Sequence, residues 1–434
     1  MSTLHIVHCI DTEGPLSESL TDTFERVKSV FGIDLPASIE NLQKLQRQEI
    51  PFDGQEGALA QMLDPALLKY NNSWEDIRAM LLDLMSDGFR RRQVDDFGNG
   101  WVYSWHCMDH MHYSVNPRHK DVGYGNVFRF YRDIIKETGS DQDEINWHFH
   151  PRSITGNPLH AATSYLNSYP VLLEILCRRI LEDGWFPTVN RPGFHSERPD
   201  SHAFLEQWIP YDYANQVHEA IGDQPDLING RFGDWRRAPL SWRGYHPAFD
   251  DYQQEGTCKR TIFRCLNVGT RFRSLEETHV IEAFQESESS GCSVLAFANH
   301  DYRDIRVDVE EVRSLINKVR PNFQKVKIRY SGAQAAARAV QNVESVPAPV
   351  LKLEIQDDRL IVNLVSGEIF GPQPFLAIMD KSGKVYHDNF DFQVPGQSWT
   401  YTFDEQTLPL DALKKIGVAS AGRYGHYTCQ RFDV

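Results

Sequence analysis

Leu4-His-Ile-Val-His-Cys-Ile-Asp-Thr-Glu-Gly14 is an apolar run that closes on two carboxylates and a glycine. Its first seven residues, Leu4 to Ile10, predict a buried strand near the N-terminus. Asp11 and Glu13 stand at i, i+2, so on an extended chain both point to the same side. Acids at the carboxyl end of a strand sit where α/β sheets and barrels place their chemistry. Far downstream, Trp147-His148-Phe149-His150-Pro151 repeats the geometry with two imidazoles at i, i+2 and a proline that ends the strand. One carboxylate and two histidines form a facial ligand set for a divalent metal, with positions left open for water and substrate. The second carboxylate is then free to act as a base. Read separately, Asp11 and Glu13 also suit a helix N-cap and a first-turn acid.

Outward from these segments the first 340 residues alternate strand-like and helix-like stretches. Helical patterns cover Thr21 to Phe31, Ile39 to Gln46, Trp74 to Met85, Val127 to Thr138, Pro170 to Glu182 and Val309 to Lys318. Apolar strand-like runs cover Trp101 to Tyr113, Phe186 to Asn190, Thr261 to Leu266 and Ser293 to Asn299. Such alternation predicts an α/β domain over residues 1–340 with a largely parallel sheet or barrel. Gln341 to Pro349 reads as a linker. Six short runs follow, Leu351 to Ile355, Leu360 to Val365, Phe375 to Met379, Val385 to Asp388, Ser398 to Phe403 and Ile416 to Ala419, and predict a small, separable β-sandwich over residues 349–434.

The chain has 434 residues, 45 basic against 60 acidic, and a net charge of −15. That balance argues against a protein that tracks nucleic-acid phosphates. No run of about 18 apolar residues predicts a membrane span, and no signal peptide is read at the N-terminus. The seven cysteines (9, 107, 177, 258, 265, 292 and 429) form no C-x-x-C pair. A reduced, cytoplasmic protein is the expectation, with a homo-oligomer left open. The triplet Arg90-Arg91-Arg92 and the pairs Arg178-Arg179 and Arg236-Arg237 read as surface charge or as contacts for a phosphate on the substrate.

Five motifs occur in order: Asp11-Thr-Glu-Gly14, His148-Phe-His-Pro151, Arg191-Pro-Gly193, Asp234-Trp235, and His300 after the apolar run Ser293 to Asn299. Together they resemble the polysaccharide deacetylase superfamily, the family 4 carbohydrate esterases, over roughly residues 4 to 335. The match is to a divergent branch of the surface-glycan biosynthesis type. Common members carry adjacent aspartates where this chain has Asp11 and Glu13. They also space their histidines i, i+4, where Asn146 stands at the earlier slot here.

The resemblance implies an irregular (β/α) barrel and a metal-dependent hydrolase that removes an N-acyl group, most simply N-acetyl, from a sugar or glycan precursor. It implies a divalent cofactor, zinc foremost, on Glu13, His148 and His150, with no organic cofactor. Asp11 would be the base, Arg191 would hold Asp11 ionised, and His300 would be the general acid, kept cationic by Asp301 or Asp234. Trp235 would wall the acyl methyl, and His110 or His112 would reach the substrate. A rival cluster, His106, His110 and His112 along one strand face, offers a different metal site. Two other functions stay open, an amidohydrolase on a small non-sugar C–N bond and a non-catalytic glycan-binding or assembly protein.

Overall fold

In the first strand, β1 (Ser2–Thr12), Val7, Cys9 and Asp11 form one row and Leu4, Ile6 and Ile10 the other, and both rows are buried. A strand covered on both faces belongs inside a parallel, layered architecture. The computed structural model describes residues 2–113, 115–158, 160–218, 233–270, 273–343 and 345–434.

Among the described residues the strands that follow are β2 (Tyr103–Cys107), β3 (Glu144–Phe149), β4 (Val189–Pro192), β5 (Tyr211–Asn215), β6 (Thr261–Asn267), β7 (Cys292–His300) and β8 (Val326–Tyr330). β1 to β7 pair in parallel in sequence order, and β7 returns to β1, closing a seven-strand barrel. β8 shares an edge of β1 with β2: it pairs with Ser2–Ile6, whereas β2 pairs with His8–Thr12. In this parallel frame Asp11 lies in register with both His106 and His300, so three chemistry-bearing residues meet at one rim.

The row carrying Val7 and Cys9 packs against Tyr213, Phe263, Cys265, Ala296 and the small face of a helix, Ala333–Val340. The other row packs outward against helices that include Trp74–Leu84, Asn126–Thr138 and Ile305–Val319. Those helices carry the expected signatures. Ser73 and Asp304 cap their N-termini with side-chain acceptors, and Gly139 ends the second in the left-handed region.

Two expected elements differ. The run Trp101 to Tyr113 is a strand only over Tyr103–Cys107, because the chain turns away at the rim. There Asp109 accepts from the Gly125 amide and from the Arg179 guanidinium at 2.8 and 2.7 Å. The strand expected at Phe186 to Asn190 instead covers Val189–Pro192 and so carries Arg191.

After the linker come β9 (Val350–Gln356), β10 (Arg359–Ser366), β11 (Phe375–Asp380), β12 (Val385–Asp388), β13 (Asp391–Val394), β14 (Ser398–Thr402), β15 (Leu413–Ala421) and β16 (Tyr427–Asp433). They form two four-stranded antiparallel sheets, β13-β14-β10-β9 and β12-β11-β15-β16. Leu360, Val362 and Trp399 of the first sheet share an apolar cluster with Leu376, Ile378 and Val418 of the second. β13 and β16 fall outside the six expected runs, and β13 is an exposed edge strand. Phe370, Phe375, Ala377 and Met379 also share a buried cluster with Leu172, Ile175 and Trp208. This face argues against the expected separability of the C-terminal sheets, because removing them would expose a large apolar patch.

Candidate metal centre and its cavity

Asp11 is the last inward-pointing residue of β1, and Glu13 lies just past the strand end. Gly14, with φ at +76°, lets the chain turn there, and its amide donates to Asp301 Oδ2 at 3.0 Å. The Glu13 amide donates to Asp301 Oδ1 at 2.9 Å, and the Tyr131 hydroxyl donates to Asp301 Oδ2 at 3.0 Å. Asp301 is therefore committed to holding the Glu13 turn. It neither binds in the cavity nor orients His300, a correction to its expected role.

His148 near the end of β3 and His150 just beyond it bring their rings to Glu13. The ligand atoms of Glu13, His148 and His150 all lie within 4.8 Å of one another. Glu13 Oε1 is 3.8 Å from His148 Nε2 and 3.4 Å from His150 Nε2, and the two Nε2 atoms are 2.9 Å apart. His148 Nδ1 lies 2.7 Å from the Arg191 carbonyl. Donation from that nitrogen leaves the Nε2 lone pair facing the cluster. Burial keeps both imidazoles neutral: it pushes His148 down, and it pushes His150 well down with help from the neighbouring His148. Neutral imidazoles and one carboxylate are the donor set a first-row divalent ion takes.

Gly193 completes the fit. A Cβ there would lie 2.3 to 2.7 Å from three atoms of the His150 ring, so only glycine leaves room for it. The next two residues, Phe194 and His195, both have positive φ, at 53° and 51°. Two consecutive non-glycine residues in that region are held by their surroundings. The Trp235 indole donates to the His195 carbonyl at 2.8 Å, and the Phe194 ring centroid sits 5.0 Å from that of His150.

Asp11 is held differently. Burial raises its carboxyl, but the Arg191 guanidinium, with Nε 2.7 Å from Oδ1, outweighs that with help from His148 and His300 and holds it down to about 2. His300 Nε2 faces both acids, 3.8 Å from Asp11 Oδ2 and 3.8 Å from Glu13 Oε1. Burial pushes the His300 imidazole well below its ordinary value, Asp11 opposing, so it is neutral near pH 7. The expected support from Asp301 or Asp234 is absent. Asp234 is paired with Arg236 at 2.8 Å on a partly exposed loop. Trp235 is fully buried among Tyr252, Tyr245 and Ile262, so it does not line the cavity, and its indole instead donates to the His195 carbonyl.

The rival cluster does not assemble. The His106 ring is buried with Nδ1 3.3 Å from the Trp147 carbonyl, His110 Nε2 lies 2.8 Å from the Glu13 carbonyl, and His112 is outside, 3.7 Å from Glu174. His110 thus lines the cavity and braces Glu13, whereas His112 does not reach it. A second grouping, His218, Glu276 and His279, lies elsewhere. There His279 Nδ1 accepts from the Glu276 amide at 3.0 Å, which leaves its other nitrogen protonated.

The Glu13, His148 and His150 cluster opens into a cavity of about 180 Å³. Its wall adds groups that the sequence did not single out: Lys120, whose ammonium pairs with Glu13, and Tyr302, Arg303, Arg118, Tyr113 and Phe194. Burial pushes the Lys120 amine down to about 7. Arg303 lies three residues after His300, a spacing that offered a signal. Arg118 and Lys120 lie in an irregular loop that offered none. Among the described residues, no helix is long and apolar enough to cross a membrane.

No family model matches this sequence, and no curated protein does. Among solved structures, the superoxide reductase (1Fe-SOR) from Giardia intestinalis aligns at 8% identity with a TM-score of 0.17, over 20% of this chain and 100% of that one. Likeness at that level carries no argument about fold or activity.

Proposed function

We propose that this chain is a metal-dependent N-acyl hydrolase acting on a sugar or glycan precursor, with a deacetylase-type barrel and a C-terminal β-sandwich. The observation that carries the reading is the meeting of Glu13, His148 and His150 at a barrel rim, beside an Asp11 that Arg191 keeps ionised. Glu13 and the two Nε2 atoms would hold a divalent ion, zinc being the best match to one carboxylate and two imidazoles. Such an ion, when bound, lowers the pKa of water and polarises a carbonyl oxygen.

The protein's own groups divide the proton work. Asp11 Oδ2 would take the proton from the attacking water. A carboxyl held near 2 is a weak base, so it suits water that is already acidified. His300 Nε2, 3.8 Å from Asp11 Oδ2, is the next acceptor, and its proton then goes to the leaving nitrogen. In this order His300 begins neutral and needs no permanent carboxylate partner. Arg191 orients Asp11, and Asp301 fixes the Glu13 turn.

The cavity is smaller than the roughly 300–1,000 Å³ of drug-sized ligand sites, so it suits one sugar unit of a precursor better than a run of polymer. The same size favours a second reading, hydrolysis of a small non-sugar amide.

Metal analysis of the purified protein, with acetate release measured across N-acetylated sugars, tests the proposal. One divalent ion per chain is expected. Glu13→Ala and His148→Ala should lose both metal and turnover, and Asp11→Asn should keep the metal and lose turnover. Full metal content in Glu13→Ala, or no acetate release from any acylated substrate by metal-loaded protein, would sink it.

A further inference from the structure

Beside the metal cluster the cavity wall gathers positive charge. Around the Tyr302 ring, the Arg118 guanidinium lies 5.6 Å from the centroid, Lys120 Nζ 5.6 Å and the Arg303 guanidinium 5.2 Å. Tyr302 itself stacks on His300, with centroids 4.8 Å apart and planes at 28°. The cations therefore stand one ring away from the reacting centre. Arg26 lines the same cavity.

Few carboxylates offset this group. Glu18 takes two hydrogen bonds from Arg26, at 2.8 and 3.0 Å, and also faces Arg118 at 3.5 Å, so one buried acid serves two guanidiniums. Arg303 donates to the carbonyls of Leu67 and Gly269, and no carboxylate pairs with it among the described residues. Among the described residues the one carboxylate in ion-pair contact with Lys120 is Glu13, the acid that the metal reading assigns to the ion, with Asp301 and Asp11 acting on it from farther off. Like charges gathered in a partly dehydrated cavity repel one another, and the arrangement becomes favourable when an anion enters. The basic pairs singled out in the sequence contrast with this. Arg90 is paired with Asp143, Arg179 with Asp109 and Asp183, and Arg237 with Asp251.

We infer that the substrate carries an oxyanion, a phosphate or a carboxylate, seated against Arg118, Lys120 and Arg303 beside Tyr302, within reach of the acyl group at the metal cluster. This rests on the reading of the cavity as the substrate site of an N-acyl hydrolase. Tyr302 and Tyr70 hold the two guanidiniums by cation–π contact, with Arg118 5.4 Å and Arg303 5.7 Å from the Tyr70 centroid. Their forks are thereby positioned in advance for bidentate contact with an oxyanion.

The test is calorimetric binding to the full-length protein of N-acetylglucosamine, N-acetylglucosamine 1-phosphate, N-acetylmuramic acid and inorganic phosphate, with acetate release followed in parallel. At least one charged sugar should bind about tenfold or more tightly than the neutral one, the scale of one charge-assisted contact. The preference should weaken with salt. It should disappear in the Arg118→Gln/Arg303→Gln double variant and survive in Arg303→Lys, which keeps the charge. Tighter binding of the phosphate names phosphate as the anion, and tighter binding of the muramic acid names carboxylate. Equal affinity for the neutral sugar, a preference that survives the double variant, or no binding of any phosphate or carboxylate probe would overturn the inference. The two readings fail separately. Charge-selective binding without acetate release would overturn the hydrolase reading alone. Acetate released as readily from the neutral sugar would overturn the anion alone.

Discussion

Replacing Gly193 with alanine should break the proposed metal site through a single methyl group. The new carbon would lie 2.3 Å from His150 Cδ2, 2.4 Å from Cγ and 2.7 Å from Nε2. Carbon atoms in contact need about 3.5–4.0 Å, so the imidazole must move by more than about 1 Å. A zinc–nitrogen bond of about 2.0–2.1 Å has no slack for that. The backbone is not strained by the change, because Gly193 does not have a positive φ. The whole effect should therefore fall on His150. Loss of a supporting contact alone costs about 10–100-fold in metal affinity, and loss of a ligand should cost at least the upper end of that range. Competition for zinc with a chelating indicator measures it. Global stability should change by no more than about 1 kcal/mol, because the His150 ring lies at the cavity wall. In a double-mutant cycle, Gly193→Ala should add almost nothing to His150→Ala. Zinc affinity unchanged in Gly193→Ala, or additive losses in the cycle, would refute the reasoning.

Acid should weaken the fold through Asp11. Its carboxyl is held at about 2 against an ordinary 3.8, so the stabilisation is present above pH 3.8 and is lost as the pH falls toward 2. The shift corresponds to roughly 2 kcal/mol, and urea unfolding of metal-free protein should show wild type losing about that much against Asp11→Asn between pH 4 and 2. Parallel curves would contradict it. If the proposed amide hydrolysis is the activity, removing His300 should slow it by about 10²–10⁴ but slow an activated ester of the same acyl group less, because a good leaving group needs less protonation. Equal losses would move His300 to binding or folding. A chain ended near Pro349 should aggregate or bind a hydrophobic dye, because Leu172, Ile175 and Trp208 lose the cover of Phe370, Phe375 and Met379. A soluble, dye-silent truncation would show that the two parts are independent.

The local chemistry was legible in the sequence because it follows short-range periods. The i, i+2 spacings of Asp11 with Glu13 and of His148 with His150 fixed their common sides before any fold was known. Apolar runs marked β1, β6 and β7, and periodic apolar patterns marked the helices at Leu20–Phe31, Ile39–Gln46 and Trp74–Leu84. Six of the C-terminal strands announced themselves in the same way.

Partnership across the chain was decided only by tertiary structure. Barrel closure sets the parallel register that puts Asp11 opposite His300, residues 289 positions apart, and no local pattern encodes it. The same closure turned Asp301 toward the Glu13 and Gly14 amides, sent Trp235 into a buried cluster and separated His106, His110 and His112. A side chain's neighbours depend on strand order and loop path, whereas its residue type and spacing depend on sequence alone. The cavity's cations show the difference most clearly. The basic pairs that stood out in the sequence met carboxylates on folding. Arg118, Lys120 and Arg303, separated along the chain, were gathered around one tyrosine ring.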